Sequence, residues 1–557
     1  MRRNQKILAF FSVCPAGTRS DKPDRKKKPE RKGRERMEYL VTQTEMQQYD
    51  RNTIERLHIP ALVLMERAAL ATVEQIRREK GDAPYRVLVV AGSGNNGGDG
   101  LAIGRLLMLQ GCQVDFVLLG SREKCSKETA QQLDILLQYG HEPYDRIPEG
   151  EYDIVIDAVF GVGLSRKVEG TYREAVCAVN EMNSYVCAVD IPSGVHADSG
   201  QILGCAVQAD LTVTYGFYKL GQFLYPGAEC CGKIICGQIG IDEYSFFGRK
   251  PRFYTYTVPK DIRLPARRPD GNKGTFGKVL VIAGSSTICG AALLAGRSVF
   301  RTGAGMVRIV TAGQNLVILQ QALPEAMFTV YDAALWPENE PDEAFAESFR
   351  NALGWADCIL LGPGIGTGKE AEWLLTCCLR ESGLPMVIDA DGLNLLSEKG
   401  TDRNFRLRET FLRMRDEQQE RKIILTPHLG EFARLYGCSI PEVSRNLIFY
   451  PSELADRLHS IVVCKDARTV VACPEGERIY LNTSGNAGMA TAGSGDVLAG
   501  MTAGLLAQGM EAEEAAVTGV FLHGMAGDMA AHVHGGRSMT ASDIIEQFAQ
   551  VFRAVEG

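Results

Sequence analysis

Apolar residues fall along this chain in two alternating patterns. Short continuous runs mark strands buried on both faces, and longer stretches of roughly helical period separate them. Residues 42–58 and 61–80 read as two amphipathic helices with Pro60 between them. The run Arg86–Ala91 (RVLVVA) then predicts a buried strand, and it feeds a Gly-rich turn over residues 92–100. A helix over 101–110 and a strand over 114–119 follow, which makes a βαβ unit with its Gly-rich turn at the strand's carboxyl end. Residues 153–158 and 185–190 predict two further strands, each ending in a polar or glycine-rich loop. The same pattern returns in the second half. Strands are predicted at 278–284, 307–310, 358–361, 386–389, 422–425 and 461–464, with helices at 290–301 and 497–508 among those between them. Strands alternating with helices predict a second α/β domain with its own parallel sheet.

Two stretches lack this periodicity. Residues 1–36 carry a short apolar run, Ile7–Val13, ahead of a dense basic block, Arg25–Arg34, and read as a disordered basic tail. Met37 is a plausible alternative start, because the ordered pattern begins directly after it. Residues 249–270 are dense in Pro and Arg and read as a linker, leaving domains at 37–248 and 271–557. A length of 557 residues accommodates two large α/β domains. The net charge of −7 implies no general affinity for nucleic acid or membrane. The 16 cysteines lack metal-binding spacing and read as reduced thiols of a cytoplasmic protein. No apolar run approaches the roughly 18 residues of a membrane span.

The chemistry gathers after the strands. Asn486–Gly500 is a Gly-rich turn running into a helix, so its backbone N–H groups offer an anion site. Asp496 stands in the first helical turn. A carboxylate beside a phosphate suits removal of a proton from an attacking hydroxyl; the alternative is a packing turn with an N-capping aspartate. In the first half, three strand ends carry Asn96, Asp157, Asp190 and Ser193. One such residue often only caps the next helix, but three polar ends point together to a ligand site. Oxygen donors without His or Cys suit a hard cation, K⁺ or Mg²⁺. His523, His532 and His534 read as structural, and Trp336, Trp355 and Trp373 as packing residues.

Three motifs of the first half, Asn95-Asn96-Gly97-Gly98-Asp99-Gly100, Asp157 with Phe160–Leu164, and Asp190-Ile191-Pro192-Ser193-Gly194, resemble the NAD(P)H-hydrate epimerase (YjeF N-terminal) domain over about residues 40–245. The resemblance implies a Rossmann-like three-layer αβα fold and a bound K⁺. It implies Asn96, Asp157 and Ser193 as the K⁺ ligands. Contacts to the hydrated nucleotide would come from Asn95, Asn96, Gly97, Gly98, Asp99, Gly161, Val162, Gly163, Leu164, Ser165, Arg166, Lys167 and Asp190. The hydrate carries a hydroxyl on a ring carbon adjacent to nitrogen. That centre loses its configuration by reversible ring opening or by loss and return of the hydroxyl, and either route needs acid–base help. Asp157 and Asp190 are the candidates, with Asp157 favoured as the catalytic residue.

The later motifs, Gly362–Gly366, Asp389–Asn394, Thr426–Glu431, Lys465–Thr469 and Gly493–Asp496, resemble the ADP/ATP-dependent NAD(P)H-hydrate dehydratase domain over about residues 260–555. A ribokinase-like fold is implied. By position, Lys465, Asp466, Ala467, Arg468, Thr469 and Gly495 would contact the nucleotide, and Ala291, Gly366, His428 and Asp496 the hydrate. Two positions depart from the family pattern: Asp466 stands where Gly is usual, and Leu429 where Pro is usual. Hydroxide is a poor leaving group, and phosphorylation makes it a good one. Asp496 would take the hydroxyl proton while the Gly493–Gly495 N–H groups stabilise the transferring phosphoryl. The reading is a fused repair enzyme that epimerises (R)- and (S)-NAD(P)H hydrate and dehydrates the S form with ADP and Mg²⁺. Its partners would be these small molecules, with a homo-oligomeric state expected. The competing reading is a ribokinase-like small-molecule kinase fused to a non-catalytic nucleotide-binding module.

Overall fold

The structure is a computed structural model, and it describes residues 37–82, 84–336, 340–397, 402–417 and 420–556. The basic tail expected over 1–36 lies outside the described residues. The chain divides into two compact units, one ending at Phe253 and the other beginning at Tyr254. The linker expected over 249–270 straddles that division, and it contains a short strand, Phe253–Thr255, and a 3-10 turn, Pro259–Asp261. Among the described residues, no helix is long and apolar enough to cross a membrane.

The first unit is built on a six-stranded sheet. Its order is Gln113–Leu118, Arg86–Ala91, Ile154–Ala158, Tyr185–Val189, Leu211–Tyr215 and Lys233–Gly237, with every pair parallel. Alternate side chains of one strand serve different cores. Val87, Val89 and Ala91 pack among Leu64, Ala68, Leu101 and Leu107, whereas Leu88 and Val90 pack among Val176 and Val179. Helices Ala61–Lys80 and Asn95–Leu109 therefore cover one face and Gly170–Glu181 the other, giving the three layers expected. The strand Leu211–Tyr215 escapes an apolar-run reading because Thr212 and Thr214 interrupt it. Both threonines are buried, and each hydroxyl has a partner: Thr212 Oγ1 donates to the Cys231 carbonyl at 2.7 Å, and Thr214 Oγ1 to Asp190 at 3.0 Å.

Two features of this unit position the site. The chain runs from Arg86–Ala91 outward to Gln113–Leu118 and then crosses back to Ile154–Ala158. A crevice therefore opens beyond the carboxyl ends of strands Arg86–Ala91 and Ile154–Ala158, where the strand order reverses. Beside the sheet, Glu38–Val41 pairs in parallel with Tyr218–Lys219, with Val41 opposite Lys219, and this fixes the backbone of Lys219.

The glycine-rich segment after Arg86–Ala91 is not a loop as far as residue 100. The helix begins at Asn95, six residues before the expected start at 101, so Asn95–Gly100 form its first turns. Glycine makes this early start possible. A Cβ on Gly97 would lie 1.8 Å from the Gly92 carbonyl oxygen, and one on Gly100 would lie 2.3 Å from Ala158 Cβ.

The second unit carries seven parallel strands in the order Met327–Tyr331, Met306–Ala312, Lys278–Ile282, Cys358–Leu361, Met386–Ile388, Ile423–Leu425 and Ile461–Cys464. Val470–Ala472 and Ile479–Leu481 then continue the sheet antiparallel. The order reverses between Lys278–Ile282 and Cys358–Leu361, which sets a second crevice at the loops following them. Helix Ser494–Ala507 packs on helix Gly290–Thr302 through small residues. Ser298 Oγ donates to the Val497 carbonyl at 2.6 Å, and Gly500 sits over Ser298 and the Ala295 carbonyl.

Candidate active sites

In the first unit, a cavity of about 600 Å³ fills the crevice. The end of the Arg86–Ala91 strand supplies Asn95, Asn96 and Asp99, and the loop after Ile154–Ala158 supplies Gly161, Val162, Gly163, Leu164, Ser165 and Arg166. Asp190 joins them from the end of the Tyr185–Val189 strand. The other expected contacts lie off the cavity wall. Gly97 and Gly98 are buried beneath the helix start, and Lys167 is exposed. Asp157 and Ser193 also stand behind the wall, each with 1% exposure.

Asp157 and Ser193 form one unit. Ser193 donates to the Asp157 carboxylate twice, from N at 2.8 Å and from Oγ at 2.6 Å. Ser193 Oγ also accepts from the Phe160 N–H at 2.9 Å. Burial lifts the Asp157 carboxyl to about 6, against the pull of the Ser193 bonds. The Asn96 side chain lies against Gly161, whose added Cβ would meet it at 3.2 Å. Asn96 Nδ2 is buried with no hydrogen-bond partner among the described residues. Oxygen-bearing side chains thus stand on the cavity wall, at Asn96, and behind it, at Asp157 and Ser193.

Asp190 and Lys219 form a second unit. Asp190 sits in the left-handed region at φ 65°, which turns its side chain from the strand end toward Lys219. Lys219 is fully buried, and its ammonium donates to Asp190 Oδ1, to Thr214 Oγ1 at 2.8 Å and to the Tyr215 carbonyl at 3.0 Å. Gln222 holds both ends: its Nε2 donates to the Asp190 carbonyl and its Oε1 accepts from the Lys219 N–H. Asp50, Glu128, Tyr215 and Lys219 all line the cavity. Sequence reading misses them because they come from helices and strands with no motif.

In the second unit, the residues expected at the site lie around its crevice. Ala291 stands at the start of helix Gly290–Thr302, and a Cβ on Gly364 would meet Ala291 Cβ at 2.9 Å. Gly366 takes φ 75°, and its N–H donates to Asp391 Oδ2 at 2.9 Å. His428 is the N-cap of helix Leu429–Tyr436. Its Nδ1 accepts from the Gly430 N–H at 2.9 Å, while Glu431 reaches back to the His428 N–H at 2.9 Å. Burial and the positive charges of Lys465 and Arg434 lower the His428 pKa, so the ring stays neutral.

Lys465 is the centre of this site. Its ammonium donates to Asp389 Oδ1 at 2.6 Å, and a Cβ on Gly495 would lie 3.2 Å from it. Gly493 adopts φ 89° as the N-cap of helix Ser494–Ala507, a conformation that glycine takes without strain, and the helix therefore begins three residues ahead of the expected 497. Asp496 falls in its first turn. Burial and the charge of Asp389 raise the Asp496 carboxyl to about 7, with Lys465 opposing. Burial lifts Glu431 to about 7 as well. The remaining nucleotide candidates follow Lys465 in one turn: Asp466 and Ala467 are exposed, Arg468 is half-buried and Thr469 is buried. Three contributors carried no assigned role in the sequence reading. Asp389 anchors Lys465, Asp391 holds Gly366, and Asp528 accepts from Gly485 N and Asn486 Nδ2, both at 2.9 Å, to hold the start of the glycine-rich turn. His523 is buried, with its pKa pushed down to about 4, in keeping with a structural ring.

Family models match in the same two places. A model for NAD(P)H-hydrate dehydratase matches residues 279–550, and one for the YjeF-related protein N-terminus matches residues 61–221. The bifunctional NAD(P)H-hydrate repair enzyme Nnr of Thermofilum pendens is 36% identical over 523 residues, covering 92% of this chain and 96% of the relative. Its counterpart in Moorella thermoacetica is 34% identical over 542 residues, covering 93% of this chain and 97% of the relative. A crystal structure of the ADP/ATP-dependent NAD(P)H-hydrate dehydratase from Bacillus subtilis, co-crystallised with ATP/Mg²⁺, is 27% identical. It covers 52% of this chain and 94% of its own, with a TM-score of 0.43.

Proposed function

Because this chain belongs to the family of bifunctional NAD(P)H-hydrate repair enzymes, we propose how its own residues divide the repair between the two units. The chain is an NAD(P)H-hydrate epimerase and an ADP/ATP-dependent NAD(P)H-hydrate dehydratase. The first unit interconverts the R and S hydrates, and the second returns the S form to the reduced cofactor.

Asn96, Asp157 and Ser193 hold K⁺ in the first unit. Two observations support this: the three side chains offer oxygen donors, and among the described residues no cationic side chain bonds the buried Asp157. A bound K⁺ would supply fixed positive charge beside the substrate. Asp157 is turned into the protein, so its part is to hold that charge and to fix the Phe160 loop through Ser193. The hydrate lies in the cavity against Asn95, Asp99, Gly161 to Arg166 and Asp190.

In the second unit, Asp496 is the base that takes the hydroxyl proton as the phosphoryl arrives. The observation that carries this is the placement of Asp496 in the first turn of helix Ser494–Ala507, beside Lys465 and Gly495. The N–H groups at that helix start offer themselves to the phosphoryl, and Lys465 supplies a charge held in place by Asp389. The nucleotide lies along Lys465 to Thr469, with Mg²⁺ carried by its phosphates. ADP is the donor we expect. His428 and Gly366 flank the hydrate. A homo-oligomeric, cytoplasmic enzyme is the state we expect.

The test is a split of the two activities. Asp496→Ala removes the base and abolishes ADP-dependent dehydration, while interconversion of the R and S hydrates continues at the wild-type rate. Near-normal dehydration by that variant would overturn the assignment.

A further inference from the structure

The epimerase cavity needs a proton carrier that faces the substrate, and Asp157 does not. The group that does is Asp99. It stands in the second turn of helix Asn95–Leu109 and lines the cavity with Asp50, Tyr215, Asp190 and Lys219. Asp190 is bound to the buried Lys219 ammonium, which fixes its place. Asp99 is its opposite: its carboxyl makes no hydrogen bond among the described residues, and the residue lines the cavity. Two carboxyl groups in one cavity thus have different partners, the kind of difference by which acid and base roles are separated in one site.

We propose that Asp99 is a catalytic residue of epimerisation, the acid that gives its proton to the departing hydroxyl and takes it back, with Asp190 as the anion that faces the positive ring formed between. The proposal rests on the epimerase reading of this cavity. Asp99 protonates the hydroxyl oxygen, and the carbon–oxygen bond breaks to release water. The ring nitrogen's lone pair becomes the second bond of a C=N group, leaving one positive charge on the ring. Water then adds to either face, the carbon–oxygen bond re-forms and the lone pair returns to nitrogen. The proton released goes to the Asp99 carboxylate. Nothing is oxidised or reduced, and the water lost equals the water gained.

The surroundings favour this route. Burial, together with the charges of Asp190 and Asp50, raises Asp99 well above the usual carboxylate range, with Lys219 opposing. Asp50 is raised in the same way. A cavity lined by four carboxyl groups, Asp50, Asp99, Glu128 and Asp190, with a lysine already paired to one of them, is built to lower the energy of a cation. Lys219 is a positioning residue here, because it fixes where the Asp190 charge lies.

The experiment uses the intact chain, pure (R)-NADPH hydrate, K⁺ and no nucleotide, in water enriched in ¹⁸O. Isomer composition is read by chromatography and label by mass spectrometry. The expected result is ¹⁸O in both isomers, appearing at the rate of epimerisation. Epimerisation by the wild-type chain without uptake of label would overturn the loss-and-return route. Asp99→Asn, which keeps the shape and loses the proton, is expected to slow epimerisation about 10²–10⁴-fold. ADP-dependent dehydration of the S form by the same variant counts the active chains. Epimerisation by Asp99→Asn within threefold of wild type would overturn the role of Asp99. A wild-type chain that does not epimerise at all would instead overturn the epimerase reading beneath it.

Discussion

Removing the ammonium of Lys219 tests how the first site is held. Lys219→Met keeps the length and apolar stem of the side chain. It leaves Asp190 a charge with no cation against it, and leaves the Thr214 hydroxyl and Tyr215 carbonyl without their donor. The lysine side chain is 1% exposed and that of Asp190 13%, so water does not replace what is lost. Breaking a buried ion pair by removing one partner costs about 3–5 kcal/mol. In a unit of this size, each kcal/mol moves the unfolding midpoint by about 2–4 °C, so the shift is about 6–20 °C. Scanning calorimetry of the intact chain should show one transition moving down by that amount, while ADP-dependent dehydration of the S hydrate persists. Pairing the change with Asp190→Asn, which removes the stranded charge, should recover part of the loss. A midpoint within about 2 °C of wild type for Lys219→Met would refute the claim that this pair carries the site.

Four further outcomes follow from the same geometry. Gly97→Ala places a Cβ 1.8 Å from the Gly92 carbonyl oxygen, so the helix start must move; epimerisation should be lost at unchanged dehydration, as read in paired assays. Leu429 is the first residue of helix Leu429–Tyr436, and His428 before it has φ −76° and ψ 168°, which suits a residue preceding proline. Leu429→Pro should therefore stabilise by about 0.4–1 kcal/mol in denaturant titration, with dehydration retained. The folded value of Asp157, about 6, lies above its unfolded one, so stability from this group is greatest at low pH and declines as pH rises to about 6. Since a cation offsets that penalty only for the ionised form, K⁺ should raise the unfolding temperature above about pH 6 and lose the effect below it, with Na⁺ as control. Asp496 acts as a base with a value of about 7, so kcat/KM for dehydration should rise with pH through that value and level off; a flat profile would count against it.

The strands of both sheets were legible where burial on two faces leaves an unbroken apolar run, as in Arg86–Ala91 and Lys278–Ile282. They were not legible where polar side chains are buried against specific partners. Leu211–Tyr215 is such a strand, because Thr212 and Thr214 look like surface positions until the Cys231 carbonyl and Asp190 are brought beside them. The glycine-rich motifs announced their sites but not always their shapes: Asn95–Gly100 read as a turn and is a helix start, since the close approach of Gly97 to the Gly92 carbonyl demands glycine inside the helix. Charges paired across long stretches of sequence stayed hidden. Lys219 meets Asp190 from 29 residues away and Lys465 meets Asp389 from 76, and no local spacing encodes either pair.

The central claim is that one chain supplies an isomer and consumes it. A mixture of the R and S hydrates of NADPH, incubated with the intact chain, ADP, Mg²⁺ and K⁺, puts that claim to the test through the returning absorbance of the dihydronicotinamide ring. Complete recovery of both isomers is the predicted result, with no slow residue left when the S form is spent. Recovery that stops at the S fraction and then creeps at the spontaneous rate would contradict it.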